Sequence, residues 1–219
     1  MNGATVLQGA TIITTTGTGA ITFTSTLDSE ASEYNTLQLT GDTGNIDLDA
    51  AIGSGANQEL GAITIVSAAN VTADSSIEAA SITQTAGTGT TTLKDNVTTT
   101  AIAGLNITAD TGIALDGLNI VTTGSGVVTF NDAVDISTAA VDIDAAGTIT
   151  FAGALTSTGD QNLTLESDGN IDFDAAVGSG VDNELGAILI DTAVDVTADS
   201  TIECASFVQT AGTGDTQFD

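Results

Sequence analysis

The feature that most constrains the fold of this chain is an internal repeat of 125 residues. Residues 169–219 match residues 44–94 without a gap at 33 of 51 positions, and the shared segments include GNID, ELGAI, VTADS and QTAGTG. Upstream, GAITF at 19–23 matches GTITF at 147–151, at an offset of 128. Duplication of this kind is typical of repeat proteins, in which each unit packs only on its neighbours. We therefore expect residues 1–219 to form one continuous segment of a longer repeat protein.

Short strand-like runs recur inside the repeat, most of them after a turn that contains Gly or Asn. The ten runs are GAITF (19–23), GNIDL (44–48), NVTA (70–73), TTTL (90–93), GIAL (112–115), VVTF (127–130), TITF (148–151), NIDF (170–173), DVTA (195–198) and DTQF (215–218). The last residue of each run, here called the anchor, follows the previous anchor after 15 to 25 residues. Six such units fill one 125-residue repeat.

The runs alternate with the period of two that a β-strand requires. The position two before the anchor is aliphatic in eight of ten runs, the position before the anchor is mostly Thr, and the position after it is mostly Asp. Helical periodicity is absent, and β-branched residues are abundant. The sequence therefore predicts an all-β fold, a right-handed parallel β-solenoid of about ten coils of roughly 21 residues, some 45–50 Å long.

Three details qualify this prediction. An array of two β-sandwich domains, one per repeat, is the alternative fold, although no shift in composition marks a domain boundary. The alternation is ambiguous in SITQTAGTG (81–89) and SFVQTAGTG (206–214), so no faces are assigned there. The segment DSEASEYN (28–35), which contains Tyr34, looks like a loop that leaves the solenoid and is a candidate for contact with partners.

Composition excludes several classes of function. The chain has 29 acidic residues, one Lys or Arg and no His, for a net charge of −28. Such a surface repels nucleic acid and anionic membranes, and no apolar run is long enough for membrane insertion. The usual general acid–base and anion-binding side chains are missing, so we do not expect an enzyme. The single cysteine, Cys204, stands where the first copy has Ala79 and is expected to be a small buried apolar residue.

The residue after the anchor provides the most informative candidate site. If all ten anchors stack in one column, the residues directly after the anchors form a ladder of carboxylates about 4.8 Å apart. Lys94 falls between Asp74 and Asp116 in this ladder and would form an ion pair with one of the carboxylates. Carboxylate oxygens are ligands for Ca²⁺. The candidate Ca²⁺ ligands are Asp47, Asp49, Asp74, Asp172, Asp174 and Asp199. The competing interpretation is that these residues cap the bend by accepting bonds from backbone N–H groups; it is favoured because the Ca²⁺-binding nonapeptide of RTX repeats is missing.

Two further hypotheses arise from the outward positions. A row of outward Thr residues could bind ice, but Asp47, Ala114, Asp172 and Gln217 interrupt it. The pairs Asp47/Asp49 and Asp172/Asp174 could serve a polysaccharide hydrolase, which needs two carboxylates. Because both pairs occupy duplicated positions, they indicate architecture rather than a unique catalytic site.

The units GTGAITF, GSGVVTF, AAGTITF and SDGNIDF, joined to LxLxxxG runs, resemble the β-strand repeats of filamentous-haemagglutinin-like and autotransporter-associated surface proteins of Gram-negative bacteria. The resemblance implies an extracellular or cell-surface protein with an adhesive or spacer role. We therefore expect a structural, non-catalytic adhesin stalk or surface fibre; the alternative is a module that binds Ca²⁺ or a glycan along the Asp ladder. Expected partners are neighbouring repeats, host or cell-surface glycans or proteins, and a second copy bound end to end through uncapped coils.

Overall fold

The computed structural model describes all 219 residues, which form short β-strands joined by turns, without a helix. The strands are β1 (Thr5–Leu7), β2 (Thr11–Thr14), β3 (Ile21–Phe23), β4 (Leu27–Ser29), β5 (Leu37–Thr40), β6 (Ile46–Leu48), β7 (Leu60–Ser67), β8 (Val71–Ala73), β9 (Ile77–Gln84), β10 (Thr90–Leu93), β11 (Val97–Thr99), β12 (Leu105–Ile107), β13 (Gly112–Leu115), β14 (Asn119–Thr122), β15 (Val128–Phe130), β16 (Val134–Ile136), β17 (Val141–Ala145), β18 (Ile149–Phe151), β19 (Leu155–Ser157), β20 (Leu163–Ser167), β21 (Ile171–Phe173), β22 (Leu185–Thr192), β23 (Val196–Ala198), β24 (Cys204–Gln209) and β25 (Thr216–Phe218).

The strands stack in parallel on three faces of a β-solenoid. Face 1 consists of β3, β6, β8, β10, β13, β16 and β19, and single bridges at Val177 and Ile202 extend it. Face 2 contains β1, β4, a bridge at Ile52, the first half of β9, and then β11, β14, β17, β20, β22 and β24. Face 3 has one strand for each of ten turns: β2, β5, β7, the second half of β9, β12, β15, β18, β21, β23 and β25. The predicted parallel β-solenoid of about ten turns is confirmed, and the sandwich array is wrong because both copies belong to the same continuous stack.

Alternation of inward apolar and outward polar residues builds the core. Most three-residue strands bury the first and third side chains and leave the second half-exposed. The inward residues form one cluster of 48 buried apolar side chains that runs through the solenoid. On face 3, the rings of Phe130, Phe151 and Phe173 stack in successive turns with centroids 5.4 Å apart. The backbone contributes 128 hydrogen bonds.

The ten anchors do not form one column, which corrects the prediction from the sequence. The first five anchors lie on face 1 and the last five lie on face 3. Leu115 pairs with Ile136, whereas Phe130 pairs with Ile107. The interval of 15 residues between Leu115 and Phe130 is shorter than a turn because the run at 127–130 occupies a different face from the run at 112–115. Period-two alternation is the same on every face, so it could not reveal this change.

The two copies of the long repeat are therefore rotated relative to each other by one face. Ile46 lies on face 1, and five turns lead from it to Leu155 on the same face. Two further faces lead from Leu155 to Ile171, the counterpart of Ile46, which lies on face 3. The 125-residue repeat thus spans five and two-thirds turns, not the six coils expected, because equal strand patterns were counted without regard to face.

The two copies keep the same local backbone structure in spite of this rotation. A β-bulge occurs at Val66 on face 3 and at the equivalent Asp191 on face 2. Gly53 and Gly178 have φ values of 70° and 71°, and a Cβ atom on either would overlap the backbone carbonyl oxygen of Glu78 or Glu203 in the next turn. Only Gly combines a positive φ with so close an approach of two backbones. The sequence identity between the copies at these positions has a structural cause.

The ambiguous alternation of residues 81–84 has a geometric explanation. Strand β9 runs from face 2 onto face 3 without a break, and Ser81 and Ile82 are both buried where it crosses the corner. Two consecutive inward residues break the period of two. The loop expected at 28–35 begins only after β4, because Asp28 and Ser29 still belong to that strand and Ser29 is buried. In the rest of the segment Ser32 and Tyr34 adopt positive φ, and Tyr34 is 53% exposed.

Candidate functional site

The six candidate Ca²⁺ ligands divide into two groups on different faces. Asp47, Asp49 and Asp74 lie in or after strands of face 1 near the N-terminal end, and Asp172, Asp174 and Asp199 lie in or after strands of face 3 near the C-terminal end. The single ladder expected from the sequence is therefore two shorter ladders. Within each group, neighbouring turns do bring the residues after the anchors side by side, as the stacking of parallel strands requires.

On face 1, the ladder contains the only basic side chain. The Nζ atom of Lys94 lies 2.8 Å from Oδ1 of Asp74, and both side chains are about two-fifths exposed. The hydrogen bond and charge of Asp74 raise the pKa of Lys94. On the far side of Lys94, Asp116 accepts a hydrogen bond from the Ser137 hydroxyl. The expected ion pair in this ladder is confirmed, with Asp74 as the partner.

On face 3, the carboxylates of Asp174 and Asp199 are exposed and accept no hydrogen bond from the protein. Asp172, which lies on the strand itself, accepts a bond of 2.7 Å from the Thr197 hydroxyl in the next turn. The backbone N–H groups of Asp174 and Asp199 continue the ladder by donating to Phe151 and Phe173. These two aspartates are therefore unpaired negative charges in adjacent turns.

The capping role proposed for the Asp ladder belongs to a different position. Side chains just before the strands accept bonds from backbone N–H groups of the following turn: Asn70 from Thr90 at 2.9 Å, and Asp195 from Asp215 at 2.8 Å. No such bond involves the carboxylates of Asp49, Asp174 or Asp199. The interpretation of those residues as caps is wrong, because no backbone N–H group donates to their carboxylates, whereas the side chains of Asn70 and Asp195 do accept such bonds.

An acidic cluster on face 2 was missed by the sequence reasoning. Asp144 on β17 lies directly opposite Glu166 on β20, and Asp142, Asp168 and Asp191 surround them. The negative charge of Asp144 raises the pKa of Glu166, and burial, followed by the charge of Asp144, raises the pKa of Asp142. The sequence carries a signal for this cluster, because Asp142 and Asp144 of VDIDA and Glu166 and Asp168 of LTLESD stand at alternate positions, but this signal lies outside the runs that end in the anchors.

Other chemical groups are sparse. Nowhere do three or more His, Cys, Asp or Glu side chains lie in an arrangement that could hold a metal ion. Cys204 packs against the core in the last turn and is only partly buried, and burial raises the pKa of its thiol. No helix in the chain is long and apolar enough to cross a bilayer.

A shallow depression of about 340 Å³ lies on the outer side of face 1. It forms where the outward residues are small, at Gly112, Ala114 and Ala133, and Asp135 and Thr156 line it further along the face. The depression has no aromatic or basic side chain to orient a ligand.

Comparisons of this chain with protein-family models, with curated proteins and with solved structures found no match.

Proposed function

We propose that this chain is a structural, non-catalytic segment of a large secreted or cell-surface repeat protein, in which it acts as an adhesin stalk or surface fibre. Host or cell-surface glycans or proteins would be bound by the parent protein, and this segment would hold the binding part away from the cell. The proposal includes the filamentous-haemagglutinin-like origin that the repeat style resembles.

The observation that carries the proposal is the relation between the two copies. Their shared residues point to different sides of the rod, so duplication has not produced a repeated binding face. The copies share outward residues such as Asp47 and Asp172, but on different faces, and they share the way a turn is built. Examples are the close backbone approach at Gly53 and Gly178 and the hydrogen bond that joins Thr91 to Gln84 at 2.8 Å and Thr216 to Gln209 at 2.6 Å. Preservation of the turn rather than of a surface supports a role in which length and stiffness matter.

The continuity of the rod supports the same role. Backbone hydrogen bonds join every turn to the next, and a single buried core runs from Leu7 to Ala198, with Ile202, Cys204 and Phe207 of the last turn packed against it. A force along the rod therefore meets a cooperative stack, with no linker at which the chain could extend first.

Single-molecule stretching tests the mechanical part of the proposal. The chain, held between folded handles, should resist extension and then release roughly 720 Å of contour, because 219 residues span about 3.5 Å each when extended and the folded rod already accounts for about 50 Å. Gradual extension at negligible force would contradict a load-bearing role.

An antibody against the chain tests the proposed location and should label intact producing cells. Labelling only after lysis would contradict a surface location.

A second candidate function, Ca²⁺ binding, rests on the unpaired carboxylates of Asp174 and Asp199 in adjacent turns. Calorimetric titration with Ca²⁺ should give heat and raise the melting temperature of the chain, and the double variant Asp174→Asn/Asp199→Asn should lose both effects. The matched control is Asp74→Asn, which removes the carboxylate already paired with Lys94. Absence of heat and of any thermal shift in the native chain would end this hypothesis.

A further inference from the structure

We propose that the outer surface of face 3, over its first seven strands, binds ice. This function goes beyond the structural role and does not depend on it, because it requires only the side surface of the folded rod.

The structure separates the residues that interrupt the row of threonines in the sequence. Asp47 and Ala114 lie on face 1. Asp172 and Gln217 lie on face 3, but beyond Thr150. Pairings from turn to turn connect the outward residues of face 3 into one column, which begins with Ile12, Gln38, Thr64, Thr83, Asn106, Thr129 and Thr150. Five consecutive turns of face 3 therefore present four threonines and one asparagine without interruption.

A second outward column runs beside the first, at the end of each strand or directly after it. The backbone of this column continues the ladder, as when the Thr85 N–H donates to the Ile65 carbonyl of the preceding turn. Its first seven members are Thr14, Thr40, Ser67, Thr85, Thr108, Asn131 and Ala152. Alternate residues of a strand lie about 6.6 Å apart and neighbouring turns about 4.8 Å apart, so the two columns form a regular two-dimensional array.

Both columns lack charged side chains over these turns, although the chain has 29 acidic residues. In the same part of the rod, face 1 carries Asp47, Asp49 and Asp74. Face 2 carries Asp28 and Glu78. Removing a charged side chain from liquid water is costly, and an ice lattice does not accommodate ions. Face 3 is the one face that can approach ice over this length without that cost.

The rotation of the two copies explains why face 3 is uncharged here. Strand β6, which carries Asp47, belongs to face 1, whereas its counterpart β21, which carries Asp172, is the eighth strand of face 3. Acidic residues such as Asp110 and Asp132 lie in the turns that lead from face 3 to face 1, where the Asp132 carboxylate accepts the Ala109 N–H at 2.6 Å. Charge therefore enters the two columns only with the second copy.

The side chains of the array suit a surface that orders water. A threonine hydroxyl donates one hydrogen bond and accepts two, and its β-branched side chain has few rotamers. Asn131 holds two neighbours in place, because its amide donates to the Asn106 side chain at 2.8 Å and to the Thr108 hydroxyl at 3.0 Å. Both bonds join one turn to the next. The array is thus ordered before ice binds, and little side-chain entropy is lost on binding.

Thermal hysteresis, the gap between the melting and freezing points of an ice crystal in the protein solution, tests the proposal on the full chain. The native chain should show hysteresis, slow the recrystallisation of ice and, as a fluorescent conjugate, be retained in a growing ice crystal. The double variant Thr83→Asp/Thr129→Asp places charges in the first column and should lose all three effects. The matched control, Thr92→Asp/Thr156→Asp, places the same charges at outward positions of face 1 and should keep them. Circular dichroism verifies that each variant is folded.

Three results would overturn the proposal. The first is a native chain that shows no hysteresis, does not slow recrystallisation and is excluded from ice. The second is activity that survives in the face 3 variant or disappears in the control, because either outcome places the binding surface elsewhere. The third concerns a second copy as the occupant of the uncharged face: a dimer in sedimentation velocity that the face 3 variant abolishes, without any activity on ice.

Discussion

Two buried threonines in one column should respond in opposite directions to the same substitution. Thr99 and Thr122 are paired in successive turns of face 2, and their exposed fractions are 0% and 2%. The Thr122 hydroxyl donates to the Gly126 carbonyl at 2.6 Å and accepts from the Ala146 N–H at 3.1 Å. The Thr99 hydroxyl is buried and has no partner. Valine has the same shape as threonine but lacks the hydroxyl group.

A buried polar group without a partner costs about 1–3 kcal/mol, so Thr99→Val should stabilise the fold by roughly 1–2 kcal/mol. Thr122→Val leaves the Gly126 carbonyl without its donor and should destabilise the fold by about 1–3 kcal/mol. With a urea m-value of about 3 kcal/mol/M, the unfolding midpoint should rise by roughly 0.5 M in the first variant and fall by about 0.3–1 M in the second. A lower midpoint for Thr99→Val, or equal shifts in both variants, would refute the reasoning.

Three further changes probe the stack, the turns and the surface charge. Phe151→Ala removes the middle ring of the phenylalanine stack and should destabilise the fold by about 3–5 kcal/mol in urea unfolding, whereas Phe151→Leu should cost less than about 1.5 kcal/mol. Gly178→Ala should cost more than about 1–2 kcal/mol in the same assay because of its positive φ and the adjacent Glu203 carbonyl, while Gly9→Ala, where a Cβ meets nothing, should be nearly neutral. The pKa of Glu166 is raised in the folded state above its ordinary value of 4.5, so the folded chain binds that proton more tightly than the unfolded chain and gains stability as pH falls from neutral through the raised pKa. The melting temperature should therefore be higher near pH 5 than at pH 7, and Glu166→Gln should reduce this difference; no change in pH dependence would show that Asp144 and Glu166 do not interact.

The sequence predicted the class of fold because the signals for strands and turns are local. The alternation around Ile21 and Phe23, or Ile171 and Phe173, depends only on the period of a strand, and turns rich in Gly, Asn and Asp mark where strands end. The close match of two long segments identified a stack of similar turns. These signals do not depend on which face a strand joins, so strand positions were predicted well.

The assignment of strands to faces could not be predicted in the same way. Leu115 and Phe130 have the same local pattern, and only pairing between turns shows that they lie on different faces. The interval of 15 residues was the one available clue, because a full turn needs more residues than this. The crossing of a corner at Ser81 and Ile82 also depends on tertiary packing, which places two consecutive residues inside.

Within the candidate site, the sequence predicted only the contacts between residues of neighbouring turns on the same face. The pairing of Lys94 with Asp74 followed from neighbouring turns and is confirmed. The separation of Asp49 from Asp174 follows from the rotation of the copies, which the local strand patterns do not reveal. The acidic cluster around Asp144 and Glu166 arises because outward residues of two strands become neighbours across a full turn.

The rotation of the two copies is the central claim, and nitroxide labels on outward positions test it most directly. In a Cys204→Ala background, labels at Ala114→Cys and Asp135→Cys lie on paired residues of face 1, about one strand spacing of 4.8 Å apart, and should show strong dipolar broadening. Labels at Ala114→Cys and Thr129→Cys lie on different faces and should show much weaker broadening. If the second pair broadened strongly and the first did not, the ten anchors would form one column, and the rotation by one face would be contradicted.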